Sequence, residues 1–579
     1  MKKKLDIIEA LGPNGWQIFR IVYFITGLIG IFLSGFVIYR TLFENLIKHK
    51  KKDSTDEIGR YEVSLPEFPW NKNSLQLVIG IKHKRQSLEV VRYPGWVVVP
   101  EKGMFQNFLI SGGIGMGKTS CAMYPFSKQA IFYKADEPEH KAGMLILDVK
   151  GNYYERIIEF AKECGRENDV ILIKLDGEYK YNPLHKPHME AIDLAERSRI
   201  VMDLFSGGSK KEAFWDTKSA QMMCECIRLM RMVNDGYVSL GDVHRIVTDE
   251  SFLEEKLNLL YEKQDELNPF EFNSCSTYFS GEFTSSKAVN TIDTIKACVT
   301  EMTAFFASSE RIFNSFCPPK EKPAGDTSKN FYGFREVIDQ GKIVVLAMNV
   351  QEYPKVSKTI AAYLKLDFQS EIIQRTVTTN TLNRTRPMFF ISDEYQEFVT
   401  SNDGDFYGLS REARCCSIVS TQSYTSVLKT LGNDRAFNTM QQNLVNKIWL
   451  RSDDKFTIET AQLLTGKEEK QKISKNISES ASDARRSKLF GRLVSDKQHV
   501  SESITVTLQK DFVFDEKVFT QVLEMNKAVC FLACDKGMQE PSIVHLLPYY
   551  QSPISDKIVF HPESRRNRSK NDENVYIRL

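Results

Sequence analysis

The sequence lacks a net charge of either sign, a metal-binding cysteine pattern and any internal repeat. Lys and Arg total 77 against 75 Asp and Glu, leaving a formal net charge of only +2. That balance gives no global attraction to a polyanion, so any nucleic-acid contact must come from local patches. The 11 cysteines form no C-x-x-C pair; the nearest neighbours are Cys224/Cys226, Cys415/Cys416 and Cys530/Cys534. No Cys/His cluster has zinc-ligand spacing, which excludes a zinc-finger scaffold. Reduced cysteines packed in a cytosolic protein fit this pattern. The absence of a repeat excludes solenoids. What is present is ordinary globular composition, 42% hydrophobic and 26% charged over 579 residues. At roughly 100–200 residues per domain, that length predicts three or four structural units.

One uncharged apolar run stands out. Ile21 to Tyr39 reads IVYFITGLIGIFLSGFVIY, and Arg40, Lys48, Lys50, Lys51 and Lys52 follow it. A run of this length matches the roughly 20 residues that cross a bilayer. The basic flank marks the cytoplasmic side. A signal peptide would be shorter and carry a small-residue cleavage site. A core helix would show a polar face. The expectation is a transmembrane helix over about 18–39, with residues 41–579 in the cytoplasm at the inner membrane. Lys2, Lys3 and Lys4 precede the span, and the side of the membrane taken by residues 1–15 stays open.

Residues 41–60 read as a polar linker, and 61–100 as a small β-rich lead-in containing LQLVIGI and WVVVP. From about 101, apolar strands alternate with helices, the sign of an α/β parallel sheet. Predicted strands are Phe108–Ser111, Met144–Asp148, Val170–Lys174, Lys342–Asn349, Met388–Ser392, Ile418–Thr421 and Lys447–Leu450. Residues 185–325 lack strand patterns and read as helices. The expected organisation is therefore an α/β domain over 101–184 and 326–555, an all-α domain inserted at 185–325, and a basic tail at 556–579. Residues 466–505, rich in charge and serine, are expected to be a flexible excursion.

Residues 111–119 read SGGIGMGKT, which contains the full phosphate-loop pattern between an apolar strand and a helix. Gly112, Gly113, Gly115 and Gly117 let backbone N–H groups converge on phosphate oxygens. The helix N-terminus, with Ser120 in its first turn, points its positive end at the same charge. Lys118 is expected to reach the β- and γ-phosphates of ATP, and Thr119 to bind Mg²⁺. A nucleotide site also needs a carboxylate at the end of a neighbouring strand. MFFIS followed by Asp393 and Glu394 supplies it. Asp393 is expected to hold Mg²⁺, and Glu394 to act as general base on the attacking water.

Other residues are less specific. Asp148-Val-Lys150-Gly151 ends a strand at the ligand edge of the sheet, where a solvated Asp/Lys turn is the alternative. Arg411 and Arg414 precede a strand that ends at Gln422. A glutamine there can sense the γ-phosphate, and one of the two arginines can reach a neighbouring subunit's nucleotide. Phe214-Trp215-Asp216 opens a helix and reads first as packing. The basic stretches 465–475 and 485–497 read first as solvated, with nucleic-acid contact as the alternative.

The order of anchor, phosphate loop, DVKG, YNPL (Tyr181–Leu184), FW and ISDE resembles the coupling proteins of type IV secretion and conjugation, the TraG/TraD-like membrane ATPases. LSREARCCSIVSTQSYTSVLKTLG and the NLVNKIWLRSDD segment extend the similarity over about residues 100–550. The resemblance implies a RecA-like fold with an all-α domain, assembled as a homo-hexameric ring. It implies ATP hydrolysis that drives DNA and its bound relaxase toward the type IV secretion channel proteins. By position, Lys118, Thr119, Asp393 and Glu394 match the ATPase residues, Gln422 the sensing glutamine and Arg411 the arginine that acts across subunits. Two departures stand out: one clear span instead of two, and Arg414-Cys415-Cys416 where the family often has a glycine. The competing readings are a related motor that recruits protein effectors without DNA, and a tethered nucleotide-binding scaffold. Glu394 argues against the scaffold, because a pure binder does not need it.

Overall fold

Short runs of apolar residues buried on both faces set the architecture. The structure, a computed structural model, describes residues 17–18, 20–39, 67–82, 95–204, 213–284, 289–376, 384–480 and 499–551. The predicted linker over 41–60 and the tail over 556–579 lie outside them. The N-terminal helix Arg20–Tyr39 is 20 residues long with a mean hydropathy of 2.4, and is unburied along its length. At 1.5 Å per residue it spans about 30 Å, the thickness of a bilayer's hydrocarbon core.

The main body contains β1 (Gln76–Lys82), β2 (Trp96–Pro100), β3 (Phe108–Ser111), β4 (Gly143–Leu147), β5 (Val170–Ile173), β6 (Tyr179–Tyr181), β7 (Lys329–Phe331), β8 (Ile343–Leu346), β9 (Met388–Ser392), β10 (Cys415–Thr421), β11 (Asn446–Leu450), β12 (Lys467–Ser480), β13 (His499–Phe512), β14 (Lys527–Phe531), β15 (Ala533–Cys534), β16 (Gly537–Met538) and β17 (Ser542–Leu546). Thirteen of them form one sheet, ordered β2-β1-β17-β14-β11-β3-β10-β9-β4-β8-β5-β6-β7. From β11 to β7 every neighbouring pair is parallel. β14, β17, β1 and β2 continue the sheet antiparallel. The lead-in strands form one edge of the main sheet.

Alternation along each strand divides the core into two layers. In β9, Met388 and Phe390 face one layer while Phe389 and Ile391 face the other. Burial on both faces is what central parallel strands require. The second layer is covered by the helices Tyr124–Phe132 and Tyr153–Glu163.

Between β6 and β7 the described secondary-structure elements are helices, from Ala191–Asp203 to Glu310–Phe316. Ser239 and Asp242 form a reciprocal cap on one of these helices, which satisfies two otherwise orphaned donors. The helical segment is fastened to the sheet by buried Asp367 on the helix Pro354–Gln374. That carboxylate accepts Tyr181 Oη at 2.5 Å, Lys186 Nζ at 2.8 Å and the Arg197 guanidinium. Single-sequence periodicity missed β6, β7 and β14–β17. It also took 466–505 for a flexible excursion, whereas β12 and β13 pair there in continuous antiparallel register from Lys467/Phe512 to Ser480/His499. The strongly polar composition hid a two-stranded ribbon.

Candidate nucleotide site

The carboxyl ends of β3, β10, β9 and β4 converge on one cleft of about 570 Å³, within the usual size range of ligand sites. The loop after β3 makes its first wall. Gly112 N–H donates to Thr421 O at 3.3 Å and Gly113 N–H to Arg451 O at 2.7 Å, tying the loop to the ends of β10 and β11. Gly117 has φ of 95°, and a Cβ there would lie 2.5 Å from Asn526 Oδ1. Only glycine meets both conditions. The helix that follows starts with a π-helical turn, Lys118–Met123, before the α-helix Tyr124–Phe132. π-turns within helices occur often at functional positions.

Lys118 is buried, and its Nζ donates to the carbonyls of Gly112 at 2.7 Å and Gly113 at 3.2 Å. Burial lowers its pKa, while Glu394 and Asp393 oppose that shift. Thr119 Oγ1 donates to Asp393 Oδ2 at 2.7 Å. Asp393 is 1% exposed and also accepts the Ser420 hydroxyl and, at 3.1 Å, the Glu394 amide. Glu394 has φ of 49°, a left-handed conformation uncommon for a residue with a Cβ and costly outside special sites. It turns the chain off β9 into the cleft. Gln396 Nε2 donates to Glu394 Oε2 at 2.8 Å, and Thr421 Oγ1 donates to Gln396 Oε1 at 2.9 Å. Gln422 and half-exposed Ser120 line the same cleft.

The far wall is the turn after β4. Asp148 is buried; desolvation pushes its carboxyl upward, against the pull of backbone hydrogen bonds from Lys150, Tyr153 and Asn152. Tyr124 lines the cleft, and burial, Asp148 and Asp393 together push its phenol up to about 12.

An all-oxygen donor set suits Mg²⁺. Among the described residues no group of three or more His, Cys, Asp or Glu side chains could cage a metal. A hydroxyl beside one carboxylate, completed by water and phosphate oxygens, is the way Mg²⁺ is commonly held. Thr119 and Asp393 meet that requirement.

The two arginines part company. β10 is seven residues long, roughly 20 Å at strand rise. Thr421 closes it at the cleft, so Arg411, just before its start, stands at the opposite edge of the sheet. Its side chain is exposed and has no hydrogen bond or ion pair among the described residues. Arg414 is engaged: it pairs with Glu101 at 2.8 Å and lies 5.2 Å over the Phe105 ring. Sequence reasoning passed over Ser420 and Gln396. Alternation along β10 and the two-residue offset from Glu394 were the available signals.

The sequence model of the type IV secretion-system coupling protein DNA-binding domain matches residues 94–514. This chain belongs to the type IV secretion-system coupling protein family. The matched stretch of this coupling protein takes in both the phosphate loop and Asp393–Glu394. Among solved structures it is similar to the bacterial conjugative coupling protein TrwB lacking its first 70 residues, in an unbound form. The identity is 11%, with 84% of this chain and 97% of that one covered and a TM-score of 0.51. The plasmid coupling protein TrwB with a non-hydrolysable ATP analogue gives 12% identity, 84% and 96% coverage and 0.51. TrwB with ADP and Mg²⁺ gives 12%, 84% and 96%, and 0.52. At such identities the likeness establishes the fold. No curated protein matches the coupling protein by sequence.

Proposed function

We propose that this coupling protein hydrolyses ATP in the cleft and uses the energy to move DNA, with its bound relaxase, into a type IV secretion channel. The observation that carries this reading is the Thr119–Asp393 contact at 2.7 Å, with Glu394 on the next residue. It joins the phosphate loop to the hydrolytic strand, and a protein that only binds nucleotide needs no such carboxylate pair. The matched DNA-binding family model, and the relatives solved with an ATP analogue and with ADP and Mg²⁺, support the same substrate pair.

In this reading the glycines at 112, 113, 115 and 117 and the Ser120 turn cradle the phosphates, and Lys118 neutralises the β- and γ-oxygens. Thr119 and Asp393 would hold Mg²⁺, which would supply charge neutralisation at the phosphates. Glu394 orients a water and takes its proton. The water oxygen then bonds to the γ-phosphorus as the bond to the bridging oxygen breaks, and ADP leaves. Gln422 senses the γ-phosphate. Arg411 serves the neighbouring subunit of a homo-hexameric ring, because it cannot reach its own cleft. Residues 101–184 and 326–555 form the motor domain, joined by the lead-in strands, and 185–325 the helical domain. Arg20–Tyr39 anchors the chain once in the inner membrane, with the motor in the cytoplasm.

The test is ATP turnover by the full-length protein in detergent, with and without double-stranded DNA at low salt, where phosphate contacts are strongest. Wild type is expected to turn over faster with DNA, and Glu394→Gln to lose turnover by about 10²–10⁴-fold while retaining nucleotide. Wild-type turnover in Glu394→Gln would remove the general-base role. Turnover without DNA binding would transfer the reading to protein-effector secretion.

A further inference from the structure

Lys150 sits on the far wall of the cleft, three strands from the phosphate loop across β10 and β9, about 14 Å at ordinary strand spacing. Its backbone is held firmly. The buried Asp148 carboxylate accepts N–H bonds from Lys150, Asn152 and Tyr153, each at 3.1 Å. Gly151 follows with φ of 72°, packed so that a Cβ would lie 2.7 Å from the Asn349 amide nitrogen. Val350 N–H donates to Val149 O at 2.9 Å. Tyr153 Oη bonds Ser127 Oγ at 2.9 Å on the helix that the phosphate loop starts. The turn and that helix are thus fixed to each other.

The side chain at the tip of this turn is the opposite of its backbone. Lys150 is exposed, lines the cleft with Lys118, Asp393 and Glu394, and its ammonium has no hydrogen bond or ion pair among the described residues. Its charge is felt at Lys118, where it helps to lower the pKa. A lysine that served only solubility would not need a turn fixed by a buried carboxylate and a positive-φ glycine. A cation presented in this way suits an anion that arrives and leaves.

We propose that Lys150 is a further catalytic cation, whose ammonium binds a γ-phosphoryl oxygen from the side opposite Lys118 and stabilises the charge developing there during transfer. The proposal rests on the hydrolysis reading above. A donor aimed at developing charge raises turnover more than it raises ground-state affinity. That separates it from Lys118, which also grips the β-phosphate and hence ADP.

The experiment uses the full-length protein with Lys150→Ala, Lys150→Arg and wild type. Three quantities are read: kcat and KM for ATP, affinity for ADP with Mg²⁺, and retention of ADP with aluminium fluoride as a planar mimic of the transferred group. Lys150→Ala is expected to lower kcat on the order of 100-fold, to keep ADP affinity within about twofold, and to lose the aluminium fluoride complex. Lys150→Arg keeps the charge and is expected to recover part of both. Equal kcat in Lys150→Ala and an active wild type would overturn this proposal alone. So would a Lys150→Ala variant that loses ADP affinity and melts early, since that result assigns the turn a purely structural role. A wild type without turnover would overturn the hydrolysis reading and this proposal together.

Discussion

Gln396 is expected to set the position of the general base, and its removal should slow turnover without weakening nucleotide binding. The amide bridges two elements: Nε2 donates to Glu394 Oε2 at 2.8 Å, and Oε1 accepts Thr421 Oγ1 at 2.9 Å. Glu394 stands on a left-handed backbone, φ 49°, and among the described residues no other hydrogen bond restrains its carboxylate. A hydrogen bond to a charged group contributes about 1.5–3 kcal/mol. The carboxylate is only half-buried, so the lower end applies, and roughly tenfold in kcat follows at about 1.4 kcal/mol per decade. Thr421→Val removes the outer bond, together with the same hydroxyl's contact to Ser423 O at 3.0 Å, and should cost about threefold, a neutral bond's share. The double variant should resemble Gln396→Ala, because the outer bond has no purpose without the inner one. Steady-state ATP turnover of the four proteins, with melting temperature as a control for folding, gives the cycle. Full kcat in Gln396→Ala, or a loss confined to KM, would refute the positioning role. Strict additivity of the two variants would refute the bridge.

Two further predictions concern the frame of the cleft. The Lys365–Asp403 pair, 2.7 Å apart and without exposure on either side, should make Asp403→Ala destabilising by about 3–5 kcal/mol, and Lys365→Met/Asp403→Leu should remain destabilising, because Gln369, Thr400 and Tyr395 lose their buried acceptor and the Phe398 carbonyl its donor; urea unfolding of the three proteins decides it. Gly117→Ala should abolish nucleotide binding through the Asn526 clash and the positive φ, and adding Asn526→Gly, whose own φ of 66° suits glycine, should recover part of it, as read by ADP titration.

Legibility followed the reach of each signal. Phosphate-loop geometry depends on residues 112–119 alone, so glycine positions announced it. β3, β4, β5, β8 and β9 are short, wholly apolar or nearly so, and covered on both faces, and each could be read from its own run. β6 and β7 could not: Tyr179–Tyr181 and Lys329–Phe331 are three residues each, and they exist because they pair across the sheet's edge. β12 and β13 carry lysines, serines and threonines at alternate positions, and only their mutual register makes them strands. The Gln396 bridge was hidden for a similar reason, since its partners sit on β9's turn and β10's end. Family resemblance named Arg411, yet only the placement of β10 explains why that arginine stands away from its own cleft, and why Arg414 is held in an ion pair.

That placement has a sharper consequence for the proposed ring. The helix Asp403–Ser410 returns from the cleft to Arg411. Its first residue is gripped by Lys365, Gln369 and Thr400 and by the Tyr395 hydroxyl next to Glu394. Its last turn is held by Asn107, which bonds Tyr407 O and Ser410 Oγ at 3.1 Å and the Ser417 amide at 2.8 Å. The arginine is thus fixed relative to its own Glu394, yet about a strand's length away from it. A chain with Arg411→Ala keeps an intact cleft; a chain with Glu394→Gln keeps an intact arginine. Each alone is expected to be inactive. Mixed at equal amounts, about one interface in four should join an intact cleft to an intact arginine, if rings assemble at random and the arginine acts in trans. Turnover near a quarter of wild type is therefore the expected result. An inactive mixture of subunits shown to co-assemble would assign Arg411 to no neighbour's site.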